Sequence, residues 1–143
     1  INKLGTETFI TTTIGKAFQV YKADKLSVAL VSPRLHDDIS AVAVSRDFTF
    51  TACGSDIIVW RRMARSRVLR GHKTPVTQLM VFAKLLLSAE EETSVVKVWH
   101  IGTWEQCAEL NLANDFEISV LMHPPTYTNK IMIAGEGGIM QLW

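Results

Sequence analysis

The groups whose types could do chemistry in this 143-residue chain are four histidines, two cysteines, a run of three glutamates and a dense run of arginines. His36, His72, His100 and His123 are scattered along the chain, forming neither a ligand pair on one helical turn nor a compact loop cluster. Cys53 and Cys107 sit singly in apolar runs and make no C-x-x-C unit, so neither a zinc site nor a disulfide framework is expected, and a reduced, intracellular chain is. No G-x-S-x-G elbow or Walker glycine loop occurs. Gly135-Glu136-Gly137-Gly138 has no following helix to receive a phosphate and reads as a turn between strands. Glu90, Glu91 and Glu92 are adjacent turn carboxylates, a pattern expected to form a solvated surface. The residues therefore predict no catalytic group, no metal ligand and no cofactor.

The remaining chemistry is cationic. Arg61, Arg62, Arg65, Arg67, Arg70 and Lys73 fall within thirteen positions that hold no acidic residue. Such a run can pair with an RNA backbone or with an acidic protein segment, or can simply solubilise an outer edge. No aromatic pair of the RNA-recognition type accompanies it, so sequence-specific reading of RNA is not predicted. The net charge of +1 conceals the asymmetry. Residues 1–73 carry 12 Lys/Arg against 6 Asp/Glu, net +6, and residues 74–143 carry 3 against 8, net −5.

What must position these groups is a β scaffold. With 48% hydrophobic and 20% charged residues the chain can bury a core, which excludes disorder. Its apolar runs are too short and interrupted to span a bilayer, and no signal peptide is expected, although a chain opening on Ile1 without a Met allows for the loss of a native beginning and of any targeting signal in it. Apolar residues recur at period two, giving about fourteen strands of 4 to 8 residues separated by Gly, Ser, Asp, Asn or Pro. No stretch carries a helical face long enough for the crossovers of a parallel sheet.

A repeat organises the strands. Tyr21, Trp60, Trp99 and Trp143 each close an apolar-x-apolar-aromatic run, at spacings of 39, 39 and 44. Strand onsets at Ile39, Val76 and Ile118 keep a similar lead over Trp60, Trp99 and Trp143, the interval lengthening slightly from unit to unit. The unit is four strands in about 40 residues, with approximate sequence repeats over 22–60, 61–99 and 100–143 and part of another blade over 1–21. A four-stranded sheet with two apolar faces cannot bury either alone, so such sheets stack radially with the aromatic wedged between neighbours. The expected fold is all-β: a propeller fragment of about three and a half four-stranded antiparallel blades. Two blades are whole, with three strands of an earlier one before them and three of a later one after. Because propellers close with four to eight blades, the chain is expected to be a piece of a longer protein.

Gly71-His72 before an innermost strand, with Trp99 at the end of the third strand, resembles the WD-repeat pattern. In that family the His, a strand Ser/Thr, the Trp and a turn Asp form a hydrogen-bonded tetrad. The resemblance implies that His72, Ser88 and Trp99 fill three of the places. The turn offers Glu90-Glu91-Glu92-Thr93 in place of Asp-Gly, and the other units replace Gly-His with His36-Asp37-Asp38 and Asn114-Asp115-Phe116. Across nearly the whole chain, and most specifically at His123-Pro124-Pro125-Thr126-Tyr127-Thr128-Asn129-Lys130-Ile131, the sequence resembles the amino-terminal propeller of a nucleolar WD-repeat family of the small-subunit processome. That resemblance implies a non-catalytic scaffold in small ribosomal subunit biogenesis, supporting precursor rRNA processing in the nucleolus of the nucleus. Its implied partners are other WD-repeat and helical proteins of a pre-ribosomal subcomplex, with contact to small nucleolar RNA or precursor rRNA and none to a membrane. A generic WD-repeat interaction module and, more weakly, a propeller enzyme are the competing expectations.

Overall fold

The structure is a computed structural model that describes residues 1–90, 93–112 and 116–143. Among the described residues fifteen strands form four antiparallel sheets, each built from consecutive strands. The first sheet holds β1 (Asn2–Leu4), β2 (Glu7–Ile14), β3 (Ala17–Lys22) and β4 (Ser27–Val31). The second holds β5 (Ile39–Val44), β6 (Thr49–Cys53), β7 (Asp56–Arg61) and β8 (Ala64–Leu69). The third holds β9 (Val76–Phe82), β10 (Leu85–Glu90), β11 (Val95–His100) and β12 (Gln106–Asn111), and the fourth β13 (Ile118–Met122), β14 (Met132–Gly135) and β15 (Met140–Leu142).

The first sheet has four strands, one more than the sequence predicts. Asn2-Lys3-Leu4 is short and shows no alternation, so only its pairing with Glu7 to Phe9 reveals it as a strand. Residues 102–111 divide into a turn and the outer strand β12. The only helical element among the described residues is a single 3-10 turn at Glu136–Gly138, so none is long and apolar enough to cross a membrane.

Burial follows radial stacking. The middle strands β6, β7 and β10 are buried along nearly their whole length, whereas the outer strands β8 and β12 are exposed at most positions. First strands of neighbouring sheets lie side by side, β5 against β9 and β9 against β13, so they form the inner rim. Alternation sends successive side chains to different neighbours. Ile57 and Val59 of β7 pack with Val76, Leu86 and Trp99 of the third sheet, while Ile58 and Trp60 turn back to Phe18 of the first. Leu87, Ala89, Val96 and Val98 meet Ile131 and Ile133 of the fourth sheet. β6, β7 and β10 carry apolar residues on both faces because both faces are interfaces.

Candidate functional site

Trp99 closes β11 at 4% exposure and sits opposite Leu86 of β10. Its indole N–H donates to Ser88 Oγ at 2.8 Å, two positions further along that strand. Ser88 Oγ lies 2.6 Å from His72 Nε2, and His72 Nδ1 lies 3.3 Å from Glu90 Oε2. The first of these contacts is well formed. The second is close but not aligned as a hydrogen bond. Glu90 Oε2 also accepts from the backbone N–H groups of Lys73 at 2.8 Å and Thr74 at 3.1 Å, and Oε1 accepts from the Thr93 hydroxyl at 3.1 Å.

The network assigns proton positions. Burial pushes His72 below its ordinary pKa, against the opposing pull of Glu90. Burial also pushes Glu90 upward, but its hydrogen bonds to Thr74, Lys73 and Thr93, with the charge of His72, outweigh that and leave it below the usual carboxylate value. The downward shift favours a neutral imidazole, with the Ser88 hydroxyl at its Nε2 and the Glu90 carboxylate near its Nδ1. Gly71 belongs to the same design. Its φ of +147° suits glycine, and an added Cβ would stand 3.4 Å from the Trp99 ring.

Glu90 corrects the expectation of three solvated turn carboxylates: it is 5% exposed and occupies the acid position beside His72. Glu91 and Glu92 lie outside the described residues. Ser88 and Glu90 alternate with Ala89 on one strand, the spacing that shares a face, and that parity is the signal the sequence offers.

The other sheets use the same positions differently. Val76 pairs with Glu90, Ile39 with Cys53 and Ile118 with Gly135, so Cys53 and Gly135 take the acid's place. In the second sheet Trp60 Nε1 donates to Thr51 Oγ1 at 2.9 Å, and Leu35 packs into the cluster of Cys53 and Trp60 where the histidine would be. His36 remains exposed. Its ring nitrogens lie 3.7 and 3.8 Å from Cys53 Sγ, and with Asp37 the three residues bring metal-ligand atoms within 4.8 Å of one another. The thiol, however, is pushed up by burial and donates to the Asp37 carbonyl at 3.5 Å, so it serves as a small buried donor. In the fourth sheet Phe116 fills the space, and Asn114 and Asp115 lie outside the described residues.

Tyr21 and Trp143 do not repeat the tryptophan contacts. Trp143 is 40% exposed and pairs through its backbone with Ile131, and the apolar Ile133 takes the strand position that Ser88 and Thr51 hold in the other sheets. Its indole N–H turns to Gln141 Oε1 at 3.0 Å instead. Tyr21 has no indole N–H, and its hydroxyl donates to Gln19.

The basic run is exposed throughout but is not one patch. Arg61 and Arg62 lie at the turn that enters β8, Arg65 and Arg67 on the strand, and Arg70 and Lys73 beyond its far end. Six strand residues at about 3.3 Å each separate the two ends by roughly 20 Å. Arg67 rests over the Trp104 ring at 5.9 Å, and Arg70 Nε lies 3.5 Å from Asp56 Oδ2. Arg61 and Arg62 share a recess with Arg46, from the β5–β6 turn.

Residues 10–143 match the WDR36/Utp21 first β-propeller. The chain belongs to that family. It is 33% identical over 140 residues to human WD repeat-containing protein 36, covering 94% of this chain and 15% of that protein. It is 30% identical over 150 residues to the U3 small nucleolar RNA-associated protein 21 homolog of Schizosaccharomyces pombe, covering 100% and 16%. The chain thus spans about a sixth of the length of these relatives. Among solved structures, U3-55K and the RRP9 WD40 repeats each superpose with a TM-score of 0.79 at 16% identity. Each covers 94% of this chain, and 45% and 44% of the respective structures. The computationally designed Ika8 protein also superposes at 0.79, with 19% identity over 98% of this chain and 44% of that one. At such identities the likeness carries the fold alone, a WD-repeat β-propeller.

Proposed function

We propose that this propeller is a non-catalytic scaffold in assembly of the small ribosomal subunit, acting in the nucleolus within a particle that contains U3 small nucleolar RNA. The observation that carries the reading is the family match over residues 10–143, joined to a relative whose name associates it with that RNA. Its partners are other WD-repeat and helical proteins of a pre-ribosomal subcomplex. The buried polar groups support the same reading. Ser88 Oγ pairs with His72 Nε2 and the Trp99 indole, and Glu90 with the Lys73–Thr74 backbone, so these buried groups are engaged in holding the fold. What remains open is surface, and each blade edge or turn can hold a different neighbour.

The test is depletion of the intact protein followed by separation of precursor RNAs. The reading expects unprocessed precursors to accumulate and small-subunit rRNA to fall, and normal processing after verified depletion would defeat it. The role of the basic edge is tested separately. Replacing Arg61, Arg62, Arg65 and Arg67 with Gln weakens RNA binding across sequences and flattens its salt dependence if the edge meets phosphates. If the edge meets protein, the same change removes one partner and leaves RNA affinity unaltered.

A further inference from the structure

Between the first and second sheets runs a cleft of about 160 Å³. Leu4, Val20 and Leu30 line one wall, and Val44, Phe48 and Met63 the other. At about 30 Å³ per water the space equals roughly five waters, enough for one aliphatic side chain. Arg46 and Arg62 stand at this cleft and at the adjoining recess that also contains Arg61, with Asp47 the only carboxylate among the described residues that line either. Among the described residues none of the three arginines has an ion-pair partner, whereas Arg70 has Asp56.

We propose that this cleft is a docking groove for a short protein segment that inserts one Leu-, Ile- or Met-like side chain between the sheets and sets flanking Asp or Glu residues against Arg46, Arg61 and Arg62. The proposal rests on the scaffold reading only in presuming a protein partner. Charge complementarity chooses the flanks: three unpaired guanidinium groups against one carboxylate favour an anionic ligand and discriminate strongly against a cationic one. The interior chooses protein over RNA. Single-stranded RNA gains affinity from flat aromatic faces on which bases stack. Here the walls are mainly aliphatic, and Phe48 is already engaged edge-to-face by Trp104 at 4.8 Å, which leaves Phe9 as the remaining ring. A side chain buried here would be an anchor, and the arginines would form a polar rim about it.

Purified intact protein, without any particle, provides the test. The probe is a fluorescein-labelled synthetic peptide of nine or so amino acids with a central leucine flanked by aspartate and glutamate. Controls replace the leucine with serine or the acidic residues with lysine, and a single-stranded oligouridine of matched charge forms a further arm. The acidic leucine peptide should bind, and both peptide controls should bind about tenfold more weakly or worse. Arg46→Gln with Arg62→Gln should weaken it by a similar factor, as should Leu30→Ser, a change at a side chain already 41% exposed. Arg46→Glu with Arg62→Glu should transfer preference to the lysine-flanked peptide, a gain that misfolding cannot produce. The proposal is overturned if all three peptides bind alike, if the acidic leucine peptide does not bind, or if only oligouridine binding responds to the arginine variants. Because no particle is involved, failure here leaves the depletion outcome untouched, and a normal depletion phenotype leaves this binding result standing.

Discussion

Glu90, at the end of β10, faces His72 in the β8–β9 connection, Oε2 to Nδ1 at 3.3 Å, both almost wholly buried. The carboxylate does more than balance the histidine. By accepting the Lys73 and Thr74 backbone N–H groups it fixes the chain that leads from one sheet into the first strand of the next. A local polar network therefore ties the connection between the second and third sheets to β10.

Glu90→Ala should destabilise the intact propeller by about 3 kcal/mol or more, because it strands two backbone donors and the Thr93 hydroxyl in a buried place. Glu90→Gln keeps an acceptor oxygen and should cost less, about 1–2 kcal/mol. Denaturant midpoints of the two variants give the ranking. A Gln variant as unstable as the Ala variant would mean that charge, not hydrogen bonding, holds the connection.

Acid should destabilise the fold in two stages through this pair. His72 is depressed mainly by burial, so below about 6.5 the unfolded chain takes up a proton that the folded chain refuses, and stability falls with pH. Glu90 is depressed despite burial, through its hydrogen bonds. Its contribution is present above about 4.5 and disappears as pH falls through its lower folded-state value. Both signs agree. In an unfolding series from pH 8 to pH 4, His72→Gln should flatten the upper part of the decline and leave the lower part, whereas an unchanged upper limb would remove His72 as its source.

The repeat is legible in the sequence because aromatic wedges at Trp60 and Trp99 end strands whose two apolar faces each need a neighbouring sheet. β1 is not, because a short segment without alternation becomes a strand only by pairing with β2. Glu90 misleads for a related reason. Its partners, the Lys73 and Thr74 N–H groups, are remote in sequence, so adjacency to Glu91 and Glu92 suggests a solvated cluster while parity with Ser88 points inward. Arg46 does not stand out beside Arg61 and Arg62 because its turn belongs to the preceding hairpin, and only the folded sheet brings the two turns to one end.

Trp99→Ala should cost more than Trp104→Ala. Trp99 is 4% exposed and loses both its packing against the second sheet and its bond to Ser88, for about 3–5 kcal/mol. Trp104 is not the free loop aromatic that its Gly-Thr-Trp-Glu setting suggests. It packs on Phe48 and Phe50 of the second sheet beneath Arg67, yet remains half-buried, so about 1–2 kcal/mol is expected. Equilibrium unfolding of both variants decides the order, and a larger loss at Trp104 would place the inter-sheet anchor in that turn.

Gly135 should be the least replaceable small residue of the fourth sheet, and the cause is Phe116. Gly135 takes the place of Glu90, and Phe116 has replaced the polar network with a ring that needs the room glycine leaves. A Cβ at this position would meet the Glu117 carbonyl oxygen at 2.9 Å and Phe116 Cζ at 3.0 Å. The backbone oxygen cannot yield without disturbing the β13–β14 pairing, although the ring can. Gly135→Ala should therefore cost about 1–3 kcal/mol by overpacking. Phe116→Leu in the same chain should recover part of that loss, while Phe116→Leu alone destabilises through the space it vacates. A double-mutant cycle on the intact protein measures the coupling. Strict additivity of the two changes would show that Gly135 is needed for the carbonyl alone and that the ring and the glycine are not a matched pair.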